Sequence, residues 1–404
     1  MVKLSLTESQ ADALRRIGRE LASDNRWWGG SDELDESNGG TGAQTQDART
    51  IIRCEPAGPD EYMITVDNAI GVIGLSDLQI TVKPKIPLTH FLHLITQSEF
   101  LPRPSEDPAK LEQDDHFFTL IAQWFVSECE YVLRRGLTRD YHRTTADLST
   151  ARGRIDCLKT ARSILVGRVK VRCTYDNFGN DSSLNRLLNR ALSVIQQNPV
   201  FRMEVRRRAR RAQERFDDVG EYRPTDLNAS TDTNTRHYRD AVTLSRMLLS
   251  SQGTSTLHGP NPGGTFLFRT PEAVEEGIRR LLRTALHPNW DVDKRGLTLS
   301  GASRRTLNPD LVFNPGQAIG DVKYRLSSKL KRSDINQVTT FAAGFKATKG
   351  IVIEFDSESS NDYVEVGDIR IDAINWDIGQ PSPDMSAEKL ATDIRKWLSG
   401  AQPD

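Results

Sequence analysis

The chain has four cysteines in 404 residues, and no two of them stand in a Cys-x-x-Cys spacing. Cys54, Cys129, Cys157 and Cys173 are too scattered for a zinc ribbon or a disulfide framework, and fit reduced, packed thiols of a cytoplasmic protein. The seven histidines are equally dispersed, with no zincin pair. No GxxxxGK[ST] segment occurs, which argues against nucleotide hydrolysis through a P-loop. No stretch approaches the roughly 18 apolar residues that a membrane span requires. The opening segment, MVKLSLTESQADALRRIGREL, carries charges throughout and reads as an amphipathic helix, not a signal peptide. With a net charge of −1, the chain has no global attraction to DNA or to membranes, so any such surface has to be local.

What remains is a polar globular chain, 37% hydrophobic and 27% charged, too long for one core. Residues 1–50 read as a helix followed by a Gly/Ser/Asp-rich loop or linker (23–47) that carries Trp27 and Trp28, either a docking anchor or packed on its own domain. Residues 51–100 hold short Ile/Val-rich runs, YMITV, AIGVIGL and LQITVKPKI, and read as a small β domain. That stretch is too short to bury much surface alone, so it must pack on the helices or on another chain, and it is the expected partner-docking element. Residues 101–252 show apolar side chains at three- and four-residue spacing and read as a helical region. From 253 onward a helix that opens on Pro271 leads into strands, a further helix and GIVIEF, the order of an α/β unit with a mixed sheet. The expected fold class is therefore α/β, multidomain and of α+β character.

The candidate chemistry lies in LNPDLVFNPGQAIGDVKYR, residues 307–325. Phosphodiester hydrolysis needs an attacking water, charge neutralisation at phosphorus and help for the leaving oxygen. Mg²⁺ supplies these where hard oxygen ligands leave positions open. Asp310 and Asp321 offer such ligands from adjacent strand ends, and the Val322 carbonyl could add one. Lys323, two residues beyond Asp321, shares its strand face and could orient water and stabilise the phosphorane. Glu275 on the preceding helix could reach the metal, or simply belong to a solvated face. Gln337 on the following helix could brace the site, or be a surface amide. A solvated salt bridge at two strand ends is the plain alternative for the motif as a whole.

In that order, Glu275, Pro309-Asp310, Asp321-x-Lys323 and Gln337 resemble the PD-(D/E)xK nuclease core. More specifically, the chain resembles the McrC family, nuclease subunits of the McrBC modified-cytosine restriction system. ARGRIDCLKTARS (151–163), VRCTYDNFGNDSSLNRLLNRAL (171–192), VDNAIGVIGLSDLQITVKPKIP (66–87) and GTFLFRTPEAVEEGIRRLL (264–282) carry that resemblance well outside the short motif. It implies a restriction-endonuclease-like domain over 253–404, with a mixed sheet flanked by helices. It also implies a Mg²⁺-dependent endonuclease for double-stranded DNA, with Asp310, Asp321 and Glu275 on the metal. The implied partner is a hexameric McrB-like AAA+ GTPase that translocates DNA and supplies modified-base recognition.

Charge is locally uneven. Residues 130–172 hold eleven Lys/Arg against four Asp/Glu. Arg152, Arg154, Arg162, Arg168, Lys170 and Arg172 could track phosphates or face an acidic partner. Arg304, Arg305, Lys329, Lys331 and Arg332 flank the carboxylates and could contact a DNA backbone. EVRRRARRAQERF (204–216) spreads its arginines around a helix and reads as solvated. A non-catalytic DNA-binding scaffold of an AAA+ motor, or a stand-alone nuclease, are the competing functions.

Overall fold

In the computed structural model, residues 2–23, 51–75, 78–98, 117–250, 265–300, 305–314, 317–327, 329–358 and 362–400 are described. They divide into two units: residues 1–117 together with 266–404, and residues 118–265. The long loop with Trp27 and Trp28, and Arg304, lie outside the described residues.

The chain opens with a strand that the sequence did not signal, β1 (Val2–Ser5), before helix α1 (Glu8–Ser23). Thr7 starts that helix through a reciprocal cap: its hydroxyl accepts from the Gln10 amide at 3.3 Å, and its own amide donates to Gln10 Oε1 at 2.8 Å. Strands β2 (Ile52–Gly58) and β3 (Glu61–Val66) form a hairpin, and β1 pairs with β3 to give the order β1-β3-β2. Next come β4 (Ala69–Gly74), buried along its whole length, β5 (Gln79–Val82) and helix α2 (Leu88–Gln97). β4, an uninterrupted apolar run, is the central strand of a second three-stranded sheet, paired along both edges, and its unbroken burial shows that both its faces are covered.

The second unit is built on α3 (Phe117–Arg135), whose Phe118, Ile121, Phe125, Val132 and neighbours are buried. The helical region expected here also holds a sheet: β6 (Asp140–Leu148), the two-residue β7 (Arg154–Ile155) and β8 (Val171–Gly179), in the order β6-β8-β7. Alternating half-exposed residues along β6 and β8 carry a period of two that the dominant helical pattern around them masks. Helix α4 (Cys157–Leu165) is capped by Asp156, which accepts from the Lys159 amide, yet buries none of its residues. Helix α5 (Ser183–Gln197) starts at Ser182 and places Arg186 between Asp181 at 2.8 Å and Asp226 at 2.9 Å. The basic helix α6 (Met203–Gln213) is more than a solvated face: Val205, Ala209 and Ala212 are buried, and Arg208 pairs with Glu130 at 2.9 Å. Helix α7 (Arg239–Ser250) closes the unit.

β9 (Phe266–Arg269) then returns to the first unit and pairs antiparallel with β4, Ala69 to Arg269 and Val72 to Phe266. The N-terminal β stretch and the C-terminal block are thus one unit rather than two separate modules, and Leu267 shares an apolar cluster with Leu6, Leu14, Ile52 and Ile73. Helix α8 (Pro271–Leu286) follows, with Gly277 where a Cβ would lie 2.3 Å from the Leu94 carbonyl oxygen of α2. Only glycine permits that approach. The remaining strands are β10 (Val292–Asp293), β11 (Leu297–Leu299), β12 (Arg305–Leu307), β13 (Leu311–Phe313) and β14 (Ala318–Leu326). After helix α9 (Arg332–Phe345) come β15 (Lys349–Asp356), β16 (Tyr363–Val366), β17 (Ile369–Asp377) and helix α10 (Pro383–Ser399). Six of the strands make a mixed sheet, β10-β13-β14-β15-β17-β16. β14 pairs antiparallel with β13 and parallel with β15, so it stands where the sheet changes direction.

Candidate active site

Two features of the backbone bring the carboxylates together. β13 and β14 pair with Leu311 opposite Gly320, and one further step of that register sets Asp310 across from Asp321. At Gly320 a Cβ would meet Leu311 and Ile351 at 3.0 and 2.9 Å, so the strands close tightly just before Asp321. Asp310 Oδ2 accepts from the Val322 amide at 2.9 Å, which fixes its side chain against β14. From α8, Glu275 hydrogen-bonds to Asp310, and one turn on Arg279 donates to the Asp310 carbonyl at 3.0 Å. Lys323 reaches back along β14: its ammonium lies 2.7 Å from Asp321 Oδ2 as an ion pair and donates to Gln337 Oε1 of α9 at 2.8 Å.

The structure therefore gathers Glu275, Asp310, Asp321, Lys323 and Gln337 into one cluster drawn from two strands and two helices. The basic candidates are divided between the two units. Lys329, Lys331 and Arg332 are exposed, between the end of β14 and the first residue of α9. Only the backbone of Arg305 is described. Arg152 and Arg154 belong to the other unit, where Arg152 stacks over the Tyr175 ring at 4.3 Å and Arg172 pairs with Asp147 at 3.0 Å.

Electrostatics give the cluster its character. Burial, reinforced by Glu275, pushes the Asp310 carboxyl up to about 7. Burial and the Asp310 charge push Asp321 up to about 7 as well. Glu275 is raised by burial and by its acidic neighbours. Burial works to lower Lys323, but Asp321 outweighs it and holds the ammonium above its ordinary value. Three acids crowd one buried spot with a single close ammonium, while Lys294, exposed after β10, acts on Glu275 and Asp310 from further off. Asp321 Oδ2, buried, makes no hydrogen bond of good geometry despite its nearness to Lys323.

These residues fit a hard divalent cation. Among the described residues, no set of three or more His, Cys, Asp or Glu side chains is already arranged around a metal position. The donor set at hand is instead a facing aspartate pair with Glu275 alongside, and Mg²⁺, which keeps several of its waters, suits so few protein ligands. The raised acidities and the orphaned Asp321 oxygen mark excess negative potential that a cation would neutralise.

Some contributors escaped the sequence reading. Arg325, two residues beyond Lys323, binds Glu354 at 2.7 Å and Asp334 at 3.2 Å, and the same period of two that linked Asp321 to Lys323 extends to it. Arg279 could have been found only from the fold, because nothing in a helix sequence announces which strand carbonyl it will meet.

The family described as McrBC 5-methylcytosine restriction system component matches residues 64–353. The type IV methyl-directed restriction enzyme EcoKMcrBC of Escherichia coli (strain K12) is 23% identical over 207 residues, 49% of this chain and 57% of that protein. The chain thus matches little more than half the length of that curated relative. In fold, the chain is similar to one in a refined half-complex from the tetradecameric assembly of Thermococcus gammatolerans McrB AAA+ hexamers with bound McrC. That likeness has a TM-score of 0.64 at 13% identity and covers 95% of both chains. As its resemblance to McrC anticipated, this chain belongs to the family of McrBC 5-methylcytosine restriction system components.

Proposed function

We propose that the chain is the Mg²⁺-dependent endonuclease component of a type IV, modified-cytosine restriction system. It would cut double-stranded DNA when driven by an AAA+ GTPase hexamer like McrB, and would in turn stimulate that partner. The observation that carries this reading is the buried Asp310/Asp321 pair with Lys323 held between Asp321 and Gln337. Mg²⁺, when bound, supplies an activated water and neutralises charge on the phosphate. Asp310 and Asp321 would hold it, with Glu275 as a third carboxylate. Lys323 points an ammonium to the same place, where it orients the attacking water and stabilises charge gathering on phosphorus. Gln337 keeps that ammonium from collapsing wholly onto Asp321. The exposed Lys329, Lys331 and Arg332 would contact the DNA backbone as it enters.

The partner surface is best sought in the second unit. Leu158, Ile164, Leu165, Val166 and Val169 are all more than half exposed on and after α4, with Leu165 at 85%. Among the described residues of 1–100 the one exposed large apolar side chain is Val2. An exposed apolar patch beside a basic strand pair suits a protein partner better than DNA. Among the described residues, no helix is long and apolar enough to cross a membrane.

The test is cleavage of modified double-stranded DNA by the chain with its AAA+ partner, nucleotide and Mg²⁺. Asp310→Ala and Asp321→Ala should each abolish cutting while the protein stays folded. Wild-type cutting by either variant refutes the site. Efficient cutting by the chain alone, without nucleotide, would favour a stand-alone nuclease instead.

A further inference from the structure

We infer that Arg325 is a positioning residue for Lys323: by tying the first turn of α9 to β14, it sets Gln337 where that amide takes the lysine's ammonium. The inference rests on the nuclease reading above for its consequence in catalysis, but the coupling itself is a matter of geometry.

Arg325 lies on β14 two residues past Lys323, and its guanidinium is fully engaged. Nε donates to Glu354 Oε1 on β15 at 2.7 Å, Nη1 donates to Asp334 Oδ1 at 3.2 Å, and Nη2 donates to Asp334 Oδ2. Asp334 is itself the acceptor that closes the first turn of α9, taking the Lys331 amide at 3.2 Å. One fork therefore joins two strands to a helix start. Gln337 follows Asp334 by three residues, so the two share a helix face one turn apart. Fixing Asp334 fixes the height and rotation at which Gln337 meets Lys323, 2.8 Å away.

Apolar packing does not do this job by itself. Val338, Phe341 and Ala342 press α9 onto the sheet, where Val338 meets Val352 and Ile371. Ahead of Gln337 the partly buried Leu330 and Ile335 join that packing, but such contacts are non-directional and do not by themselves set the rotation of the first turn. In the first turn Arg332 and Ser333 are exposed and Ile335 is half-buried, leaving Asp334 as its buried polar tie. Glu354, 0% exposed, has no role visible other than to anchor the guanidinium from below, since its second oxygen has no hydrogen-bond partner. A charge so deeply buried is tolerated only when paired, so the arginine's position is narrowly determined.

The consequence concerns Asp321. Lys323 is held by two oxygens, Asp321 Oδ2 in an ion pair at 2.7 Å and Gln337 Oε1, which accepts its hydrogen bond at 2.8 Å. If Gln337 moves off, the ammonium has only the carboxylate to turn to, and it then competes with a cation for the Asp321 oxygen. Losing Arg325 should therefore resemble losing Gln337.

A double-mutant cycle tests this in the full chain with its AAA+ partner, nucleotide and DNA. Arg325→Ala and Gln337→Ala should each slow cleavage by about tenfold or more and raise the Mg²⁺ concentration needed for half-maximal cutting. The double variant should be no more than about twofold worse than the poorer single, because coupled residues are not additive. Two independent, multiplying losses would overturn the inference, as would wild-type Mg²⁺ dependence in Arg325→Ala. Should Arg325→Ala fail to fold, Asp334→Asn keeps an acceptor for the Lys331 amide while weakening the grip of Arg325, and enters the cycle in its place. A second readout needs no activity: at fixed pH, the ¹³Cε signal of Lys323, identified by its loss in Lys323→Met, should move alike in the Arg325 (or Asp334) and Gln337 variants. An unmoved signal refutes the positioning role. A signal that moves as described in a protein that never cuts DNA refutes the nuclease reading and leaves the positioning intact.

Discussion

Replacing Asp321 by its neutral isostere should make the metal-free protein more stable at pH 8, not less. Asp321 is 3% exposed, and burial with the neighbouring Asp310 charge raises its carboxyl from 3.8 to about 7. A rise of that size corresponds to about 4 kcal/mol of penalty on the ionised form. Because the two aspartates titrate as a pair, the gain from relieving one of them should be about 2–4 kcal/mol. The sign follows from proton counting. Between pH 4 and pH 7 the folded protein holds protons that the unfolded chain has released, so stability falls as pH rises through that window. Above pH 7 the full penalty is present. Asp321→Asn removes it, and the advantage of the variant should shrink steadily from pH 8 down to pH 4. Thermal unfolding in chelator at pH 5, 6, 7 and 8 measures this, with the variant several degrees above wild type at pH 8. Mg²⁺ at about a thousandfold excess over Kd should then cancel or reverse the order, since only wild type gains the binding energy, about 4.1 kcal/mol. A variant no more stable than wild type at pH 8, or an advantage that does not depend on pH, would refute the idea that these buried carboxylates repel one another until a cation joins them.

Other expectations are simpler to state. Lys323→Ala should retain divalent-ion binding by calorimetry yet lose turnover with the AAA+ partner, because the ammonium acts on water and phosphate and not on the ion. Leu165→Asp, at a site 85% exposed, should leave thermal stability within about 0.5 kcal/mol of wild type while weakening association with the partner ring in sedimentation or interferometry. Arg186→Met should destabilise the second unit by about 3–5 kcal/mol in denaturant unfolding, since it strands the buried Asp226 that it now meets at 2.9 Å.

Much of this molecule could be read from its sequence where period and chemistry coincide. β14 was legible because AIGDVKYR alternates and ends in charge, and the pairing of Asp321 with Lys323 needed only strand geometry. The amphipathic helices were legible for the same reason, as were the start of α8 at Pro271 and the buried run of β4. Three things were hidden. β1 is four residues of mixed polarity, and it becomes a strand only because β3 offers it an edge. The sheet of β6 and β8 lies between strong helices, and its half-exposed residues give a weak alternating signal. The pairing of β4 with β9, almost two hundred residues apart, is a tertiary fact that no local pattern encodes. That last pairing is why a stretch that reads as a separate β module turns out to share a unit with the site.

The same pairing decides what truncation would do. The stretch 51–87 had to pack either on its own chain or on a partner, and the structure chooses the first. β4 supplies the hydrogen-bonding neighbour of β9, whose Phe266 and Leu267 are buried. α2 sits so close to α8 that Gly277 has no room for a methyl group, and His90 of α2 accepts from the Trp376 indole at 3.0 Å. Lys85 reaches the site-bearing strand itself, where its amide donates to the Tyr324 hydroxyl and its ammonium to the Tyr324 carbonyl, both at 3.0 Å. Removing residues 1–100 would therefore uncover Phe266, Leu267, Ile278, Trp376 and Tyr324 together. At about 2 kcal/mol for each large apolar side chain, the loss is about 10 kcal/mol, comparable to the whole stability of an ordinary domain. The truncated chain should be unfolded or aggregated, with no Mg²⁺ response by calorimetry and no cooperative thermal transition for the first unit. A truncated chain that still unfolds cooperatively and binds Mg²⁺ through Asp310 and Asp321 would show instead that the six-stranded sheet and its helices carry the site unaided.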